Sequence, residues 1–293
     1  MLRRFICIAG IFCAALAGVL IYTISLMINR PLLAPPGKLS DADYTEFSSV
    51  TEDGIKIYAV YYRGFPACGT VILCHGHGVN LRHMDDVVRF LRPCGYNILL
   101  LDFRAHGQSG GKYCTVGLHE WKDIKAVLSE AKKLGYIDAS TPLAAYGRSM
   151  GAATLLNGSA DLPEIRAFIL ESGFESLRKI AARDAWHALR LPDTFLSDIA
   201  FWVTGLVTGI DYASNKPEEK TAGVGSRPVF LIHDSNDHRA DANAFNALKT
   251  RLPLAETWVV KDGGHVGAHW KAPAEFESRF LSFLSRSGVS GRN

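Results

Sequence analysis

The apolar run Leu143–Tyr146 passes straight into Gly147-Arg148-Ser149-Met150-Gly151 and then into the small, helix-compatible residues Ala152–Leu156. That order reads as a strand, a tight turn and a helix. A serine between two glycines suits such a turn, because larger neighbours would collide with adjoining chain while the hydroxyl is held above the sheet edge. A bare Gly-x-Ser-x-Gly is a common turn, and its flanks are what make this one informative.

The rest of the folded part repeats the theme. Residues 45–51 and 55–63 predict an antiparallel pair turned by Asp53-Gly54, a strong hairpin dipeptide. Apolar runs at 70–74, 97–102, 167–170, 229–232 and 257–260 continue the series, separated by helical patterns. Continuous apolar runs suit strands buried on both faces, and strand–helix alternation implies a parallel sheet. Trp121, Ile124, Val127, Leu128 and Ala131 fall at helical spacing, as do Phe276, Phe280, Leu281 and Leu284 in a closing helix. Between Phe174 and Lys220 the pattern loosens into helical pieces, which predicts a small cap at about 175–220. The expected architecture is therefore α/β, a mostly parallel central sheet flanked by helices, spanning residues 44–288 with a short tail at 289–293.

From Phe5 to Ile28 the chain carries no charge. At about 1.5 Å per helical residue it reaches roughly 36 Å, enough for a hydrocarbon core of about 30 Å. Arg3 and Arg4 precede it, so the expectation for residues 1–29 is a signal anchor with the remainder on the extracytoplasmic side, joined by a Pro-rich linker at 30–43. Ala15-Leu16-Ala17 offers the alternative of signal cleavage and secretion, but cleavage there would leave Val19 to Met27 as an apolar terminus.

A formal charge of +3 with scattered Lys and Arg excludes the basic stripe that tracks nucleic acid. The six cysteines form no C-x-x-C pair. Metal has little support: His75 and His77 have no third ligand at suitable spacing, and Gly267 between His265 and His269 argues against a zinc-binding helix.

A serine hydroxyl needs a base, itself oriented by an acid. Asp237 follows the run at 229–232 and His265 the run at 257–260, each on a loop beyond a predicted strand, where an open α/β sheet places its site. Asp234 is the runner-up acid on the same loop, Asp241 a third, and Glu171 ends an earlier strand where a structural role is expected.

Taken together and in order, Gly147–Gly151, Leu231–Asp237 and Asp262-Gly263-Gly264-His265 resemble the α/β-hydrolase superfamily, particularly its serine aminopeptidase-like branch and the membrane-anchored α/β-hydrolase domain proteins. The resemblance runs from about Tyr44 to Leu284. It implies the α/β-hydrolase fold, Asp237 as the acid, and no cofactor. Cys74-His75-Gly76-His77-Gly78 resembles the family's His-Gly-x segment, which implies that the backbone N–H groups of His77 and Met150 form an oxyanion hole. Asp102–Gly110 resembles a further family segment in which Ala105 replaces the usual Gly, and Asp102 and Arg104 are expected to bond to backbone. Asp234 stands where the family more often has Gly. The implied activity is hydrolysis of a carboxylic ester or related acyl bond, on a small or lipid-like acyl substrate, with peptidase, aminopeptidase-like and acyl-thioesterase chemistry as alternatives. A non-catalytic, membrane-tethered binding module on the same fold is the alternative of another class.

Overall fold

A computed structural model of the chain describes residues 43–289 except 66, 139 and 191–195, together with Leu39 and, near the start, residues 7, 10–15 and 17–18. The anchor, cleavage and linker expectations thus lie mostly outside the described residues. Residues 10–15 are helical, and among the described residues no helix is long and apolar enough to cross a membrane.

Eight strands make one sheet: β1 (Thr45–Val50), β2 (Lys56–Tyr62), β3 (Thr70–Cys74), β4 (Asn97–Leu101), β5 (Leu143–Arg148), β6 (Ile165–Glu171), β7 (Val229–Asp234) and β8 (Glu256–Val260). Their order is β1-β2-β4-β3-β5-β6-β7-β8, with β1 and β2 antiparallel and the rest, from β4 to β8, parallel. All five residues of β3 and of β4 are buried, as continuous apolar runs require of strands covered on both faces. Alternate residues feed two cores: Ile72, Leu99 and Ala145 on one face, Val71, Leu73, Leu100 and Tyr146 on the other.

The α-helices that accompany the sheet are α1 (Asp85–Leu91), α2 (Trp121–Lys133), α3 (Met150–Asn157), α4 (Leu177–Leu189), α5 (Leu196–Thr208), α6 (Pro217–Lys220), α7 (Ala242–Arg251), α8 (Ala268–Lys271) and α9 (Pro273–Arg286). The helical spacing in α2 turns Ile124, Val127, Leu128 and Ala131 inward. In α9 it turns Phe276, Phe280, Phe283 and Leu284 inward, with Pro273 at the start, where its missing N–H costs nothing. Helices α4 and α5 lie between β6 and β7, where the cap was expected.

The topology decides where a site can form. From β3 the chain crosses outward to β4 and then returns to the other side of β3 for β5. At that reversal the loops leaving the carboxyl ends of β3 and β5 turn opposite ways and open a crevice. The His75–Gly78 loop and the Ser149 turn flank it.

One expectation is corrected. Asp102 bonds to backbone, accepting from the N–H of Leu81 at 2.8 Å and of Gln108 at 2.8 Å. Arg104 does not: its guanidinium donates to Asp123 at 2.7 and 2.9 Å and to Asp53 at 2.8 Å. Buried at that depth, a permanent cation is better compensated by carboxylates than by carbonyl dipoles.

The α9 face carries much of the second core. The Phe276 ring has no solvent exposure and lies 6.0 Å from Phe90, 6.1 Å from Tyr146 and 5.7 Å from Phe280, centroid to centroid. Phe276→Ala is expected to lower stability by about 3–5 kcal/mol. Urea unfolding would show it as a lower midpoint with an unchanged slope.

Candidate active site

Strand β5 runs two residues further than its apolar stretch predicts, so Gly147 and Arg148 are sheet residues and the turn falls on Ser149 itself. Ser149 has φ 52° and ψ −111°, a conformation that costs a non-glycine residue on the order of 1–3 kcal/mol. Close packing holds it there. A Cβ on Gly151 would sit 2.2 Å from the Cys74 carbonyl oxygen, and one on Gly147 would sit 2.5 Å from the Gly151 carbonyl carbon. Both glycines are therefore required by the approach of α3 to β3 and β5.

His265 stands between Ser149 and Asp237. Its Nε2 is 2.9 Å from Ser149 Oγ and its Nδ1 is 2.7 Å from Asp237 Oδ2. A carboxylate beside Nδ1 fixes the tautomer: Nδ1 carries the proton and Nε2 faces the hydroxyl as acceptor. The other Asp237 oxygen accepts from the N–H of Arg239 at 2.9 Å and of Ala240 at 3.0 Å. Burial favours the neutral acid, but the bond to His265, its charge and these two N–H groups outweigh it and hold Asp237 below the usual carboxylate range.

Asp234 is elsewhere. It ends β7 with no solvent exposure, its Oδ2 taking a 3.4 Å contact from Ser172 Oγ and its Oδ1 lacking a partner among the described residues. Burial, then the neighbouring Glu171 charge, push its pKa up to about 7. Asp241 caps α7 through the N–H groups of Asn243 and Ala244. Glu171 takes the structural role expected, accepting from Tyr146 Oη and, at 3.1 Å, from the Ala268 N–H. His269 is apart from His265, with its Nε2 3.3 Å from Glu277.

Ser149, His77 and Met150 border one apolar cavity of about 30 Å³. Met150 opens α3, where the first amides have no acceptor within the helix. The loop carrying His77 lies against the serine turn, since a Cβ on Gly76 would be 3.6 Å from Ser149 Cβ. Phe174, Leu177, Ile180 and Phe201 wall the cavity from the cap side.

Three supports went unread in the sequence. Arg148, fully buried, donates to both Asp86 oxygens at 3.0 and 2.6 Å and to the His83 carbonyl at 2.7 Å. Ser172 Oγ accepts from the Val266 N–H at 3.0 Å, and Asn236 Oδ1 from the Gly264 N–H at 2.6 Å, so the residues on both sides of His265 are pinned. Arg239 grips Asp184 of α4 at 2.8 Å while Arg183 donates to the Arg239 carbonyl at 3.0 Å, which ties the cap to the Asp237 loop. Their partners lie far away along the chain, and nothing in the spacing of these charges marks them as paired.

A family description, Hydrolase_4 (Serine aminopeptidase, S33), matches residues 66–221, just over half of the chain. An uncharacterised protein of Bacillus subtilis (strain 168), YqkD, is 28% identical over 225 residues, 75% of this chain and 72% of its own. YfhR of Escherichia coli (strain K12), also uncharacterised, is 27% identical over 211 residues; the match takes in 69% of this chain and 64%, under two thirds, of that protein. Among solved structures, the Pyrococcus furiosus esterase Pf2001 superposes with a TM-score of 0.73 at 29% identity, covering 89% of this chain and 98% of its own.

The two carboxylates of the β7 loop separate cleanly by experiment. Asp237→Asn is expected to leave the fold intact and lower kcat by about 10⁴, because an amide in that place stabilises the wrong imidazole tautomer. Asp234→Asn is expected to keep near-native turnover and to change the pH dependence of stability instead. A carboxyl raised to about 7 contributes stability below its unfolded pKa near 3.8 and loses it as pH rises through 7. Relative to the parent, Asp234→Asn therefore gains stability between pH 4 and pH 8, on the order of a few kcal/mol, in urea unfolding at the two values. A dead Asp234→Asn beside an active Asp237→Asn would exchange the roles.

Proposed function

The chain belongs to the serine aminopeptidase S33 family of α/β-hydrolases, and from that membership we propose that it hydrolyses small carboxylic esters through an acyl-enzyme on Ser149. The observation that carries this reading is the unbroken pair of hydrogen bonds from Asp237 through His265 to Ser149, ending at the mouth of an apolar cavity. The esterase likeness of the Pyrococcus furiosus structure supports an ester over an amide.

Ser149 Oγ attacks the ester carbonyl carbon as His265 Nε2 takes its proton. The carbonyl oxygen becomes an oxyanion, held by the N–H groups of His77 and Met150. Donors aimed in advance at that charge contribute about 10²–10³ each in comparable sites. Collapse breaks the bond to the alcohol, which leaves with the proton from His265. Water then gives a proton to His265 and adds to the acyl carbon, and the second collapse returns that proton to Ser149 and frees the carboxylic acid. Asp237 keeps the imidazole in its tautomer and balances its charge in both halves.

The small cavity supports a short acyl group. A water molecule needs about 10–15 Å³ of such space, so about 30 Å³ favours an acyl chain of about two to four carbons over a long one. The apolar run at residues 5–28, with Arg3 and Arg4 before it, supports a single-span anchor that presents this site on the extracytoplasmic side.

Turnover of p-nitrophenyl esters of graded chain length by the full-length protein tests the proposal. The expected profile peaks at about two to four acyl carbons and falls by ~10-fold or more by eight, with activity lost in Ser149→Ala. A preference for aminoacyl amides would return the chain to peptidase chemistry. Undiminished turnover in Ser149→Ala would overturn the mechanism.

A further inference from the structure

Three donor atoms from separate segments converge beside the oxyanion loop. His77 lies after β3, His106 in the loop after β4, and Cys114 further along the same connection. Their ligand atoms all fall within 4.8 Å of one another. No spacing in the sequence brings these residues together; the switch between β3 and β4 does.

His106 is already oriented as a ligand. Its Nδ1 is 2.9 Å from the Arg104 carbonyl, which can only accept, so Nδ1 carries the proton and Nε2 holds a lone pair. A backbone carbonyl on the far ring nitrogen is the usual outer support of a metal-bound histidine. The lone pair at present accepts a long 3.3 Å bond from the Gly78 N–H, which an ion would displace. Cys114 Sγ accepts from the Val116 N–H at 3.3 Å and its thiol donates to the Met150 thioether at 3.6 Å; burial and the nearby Glu120 carboxylate push the thiol's pKa up, so an ion there has to displace its proton. His75 is not available: its Nδ1 is 2.7 Å from the Gly76 carbonyl and its Nε2 accepts from the Phe103 N–H at 3.0 Å.

Two imidazoles and a thiolate, with a thioether close by and no carboxylate among them, select soft or borderline cations over magnesium or calcium. Bond lengths of about 2.0–2.1 Å to nitrogen and 2.3 Å to sulfur put the donors of a tetrahedral site roughly 3.5 Å apart, so a closure of about 1 Å by the side chains completes it. We propose that His77, His106 and Cys114 bind one thiophilic cation, Zn2+ or Cu+, and that its binding shuts the neighbouring hydrolytic centre. Binding releases the Cys114 thiol proton to solvent. The ion draws on the ring of His77, the residue whose backbone N–H is a proposed oxyanion donor, and on the flank of Met150, whose backbone N–H is the other. Binding stands independently of the proposed hydrolysis; only the shutting rests on it.

The test uses full-length protein in which Cys7→Ser, Cys13→Ser, Cys68→Ser and Cys94→Ser remove the thiols outside the sheet region. Cd2+ reports a thiolate bond through its ultraviolet charge-transfer band, and Zn2+ and Cu+ compete it away. One equivalent of Cd2+ is expected to saturate the band. Cys114→Ala is expected to abolish it, and His106→Gln to weaken binding by ~100-fold or more, both with the parent melting temperature as the check on folding. Whichever of Zn2+ and Cu+ competes more tightly identifies the ion, and saturation with it is expected to stop ester turnover reversibly, while Cys114→Ala turns over normally and ignores the metal. A missing band, or a band unchanged in Cys114→Ala, overturns the site. Binding through Cys114 that leaves active enzyme at full turnover overturns the shutting alone. A protein that binds the metal through Cys114 but hydrolyses no ester keeps the site and sinks the proposed function.

Discussion

A guanidinium with no solvent exposure stands directly beneath the serine turn, and its compensation organises the site. An isolated cation in such surroundings would cost many kcal/mol, so the chain must bring it partners. Arg148 finds Asp86 from α1, the His83 carbonyl before it, Tyr146 two residues earlier on its own strand, and Glu171 from the neighbouring β6. Glu171 spends its other oxygen on the Ala268 N–H, three residues beyond His265. One buried charge thereby fixes the strand that ends in Ser149 relative to the loop that carries His265. Removing one partner would strand the charge, which makes this network a constraint on geometry more than a reserve of stability.

The site's two other anchors follow the same logic of satisfied polar groups. Asp237 divides its oxygens between the imidazole and the backbone of its own loop, so its position and its charge are set together. Arg239 links that loop to the cap through Asp184. The helix that roofs the cavity is therefore tied, through Arg239, to the short loop that carries Asp237. The strained φ of Ser149 belongs to this arrangement, since only close packing on both sides keeps a serine there.

Much of this was legible in the sequence because the physics involved is local. Continuous apolar runs marked β3, β4 and β8 to within about a residue and β7 two residues short, and Ser149, Asp237 and His265 stood out by lying just beyond such runs in a fixed order. Strand β5 was read two residues short, because a glycine and an arginine look like turn residues when their partners are far away in the chain. Arg104 was read as a backbone donor for the same reason: Asp53 and Asp123 reach it only through the folded sheet. Choosing between Asp234 and Asp237 by sequence needed a resemblance, whereas in the structure both are buried and Asp237 is the one that faces the imidazole. The meeting of His77, His106 and Cys114 had no sequence signal at all. Most of the apolar leader lies outside the described residues, and its reading as an anchor rests on sequence alone.

The central claim is that Ser149 is made nucleophilic by the groups around it. A fluorophosphonate reacts covalently with such a serine and not with ordinary hydroxyls. Full-length folded protein treated with the probe, digested and mapped by mass should carry a single phosphonyl adduct, on the peptide and the residue of Ser149. An adduct on another serine, or none on protein shown to be folded, would contradict the account.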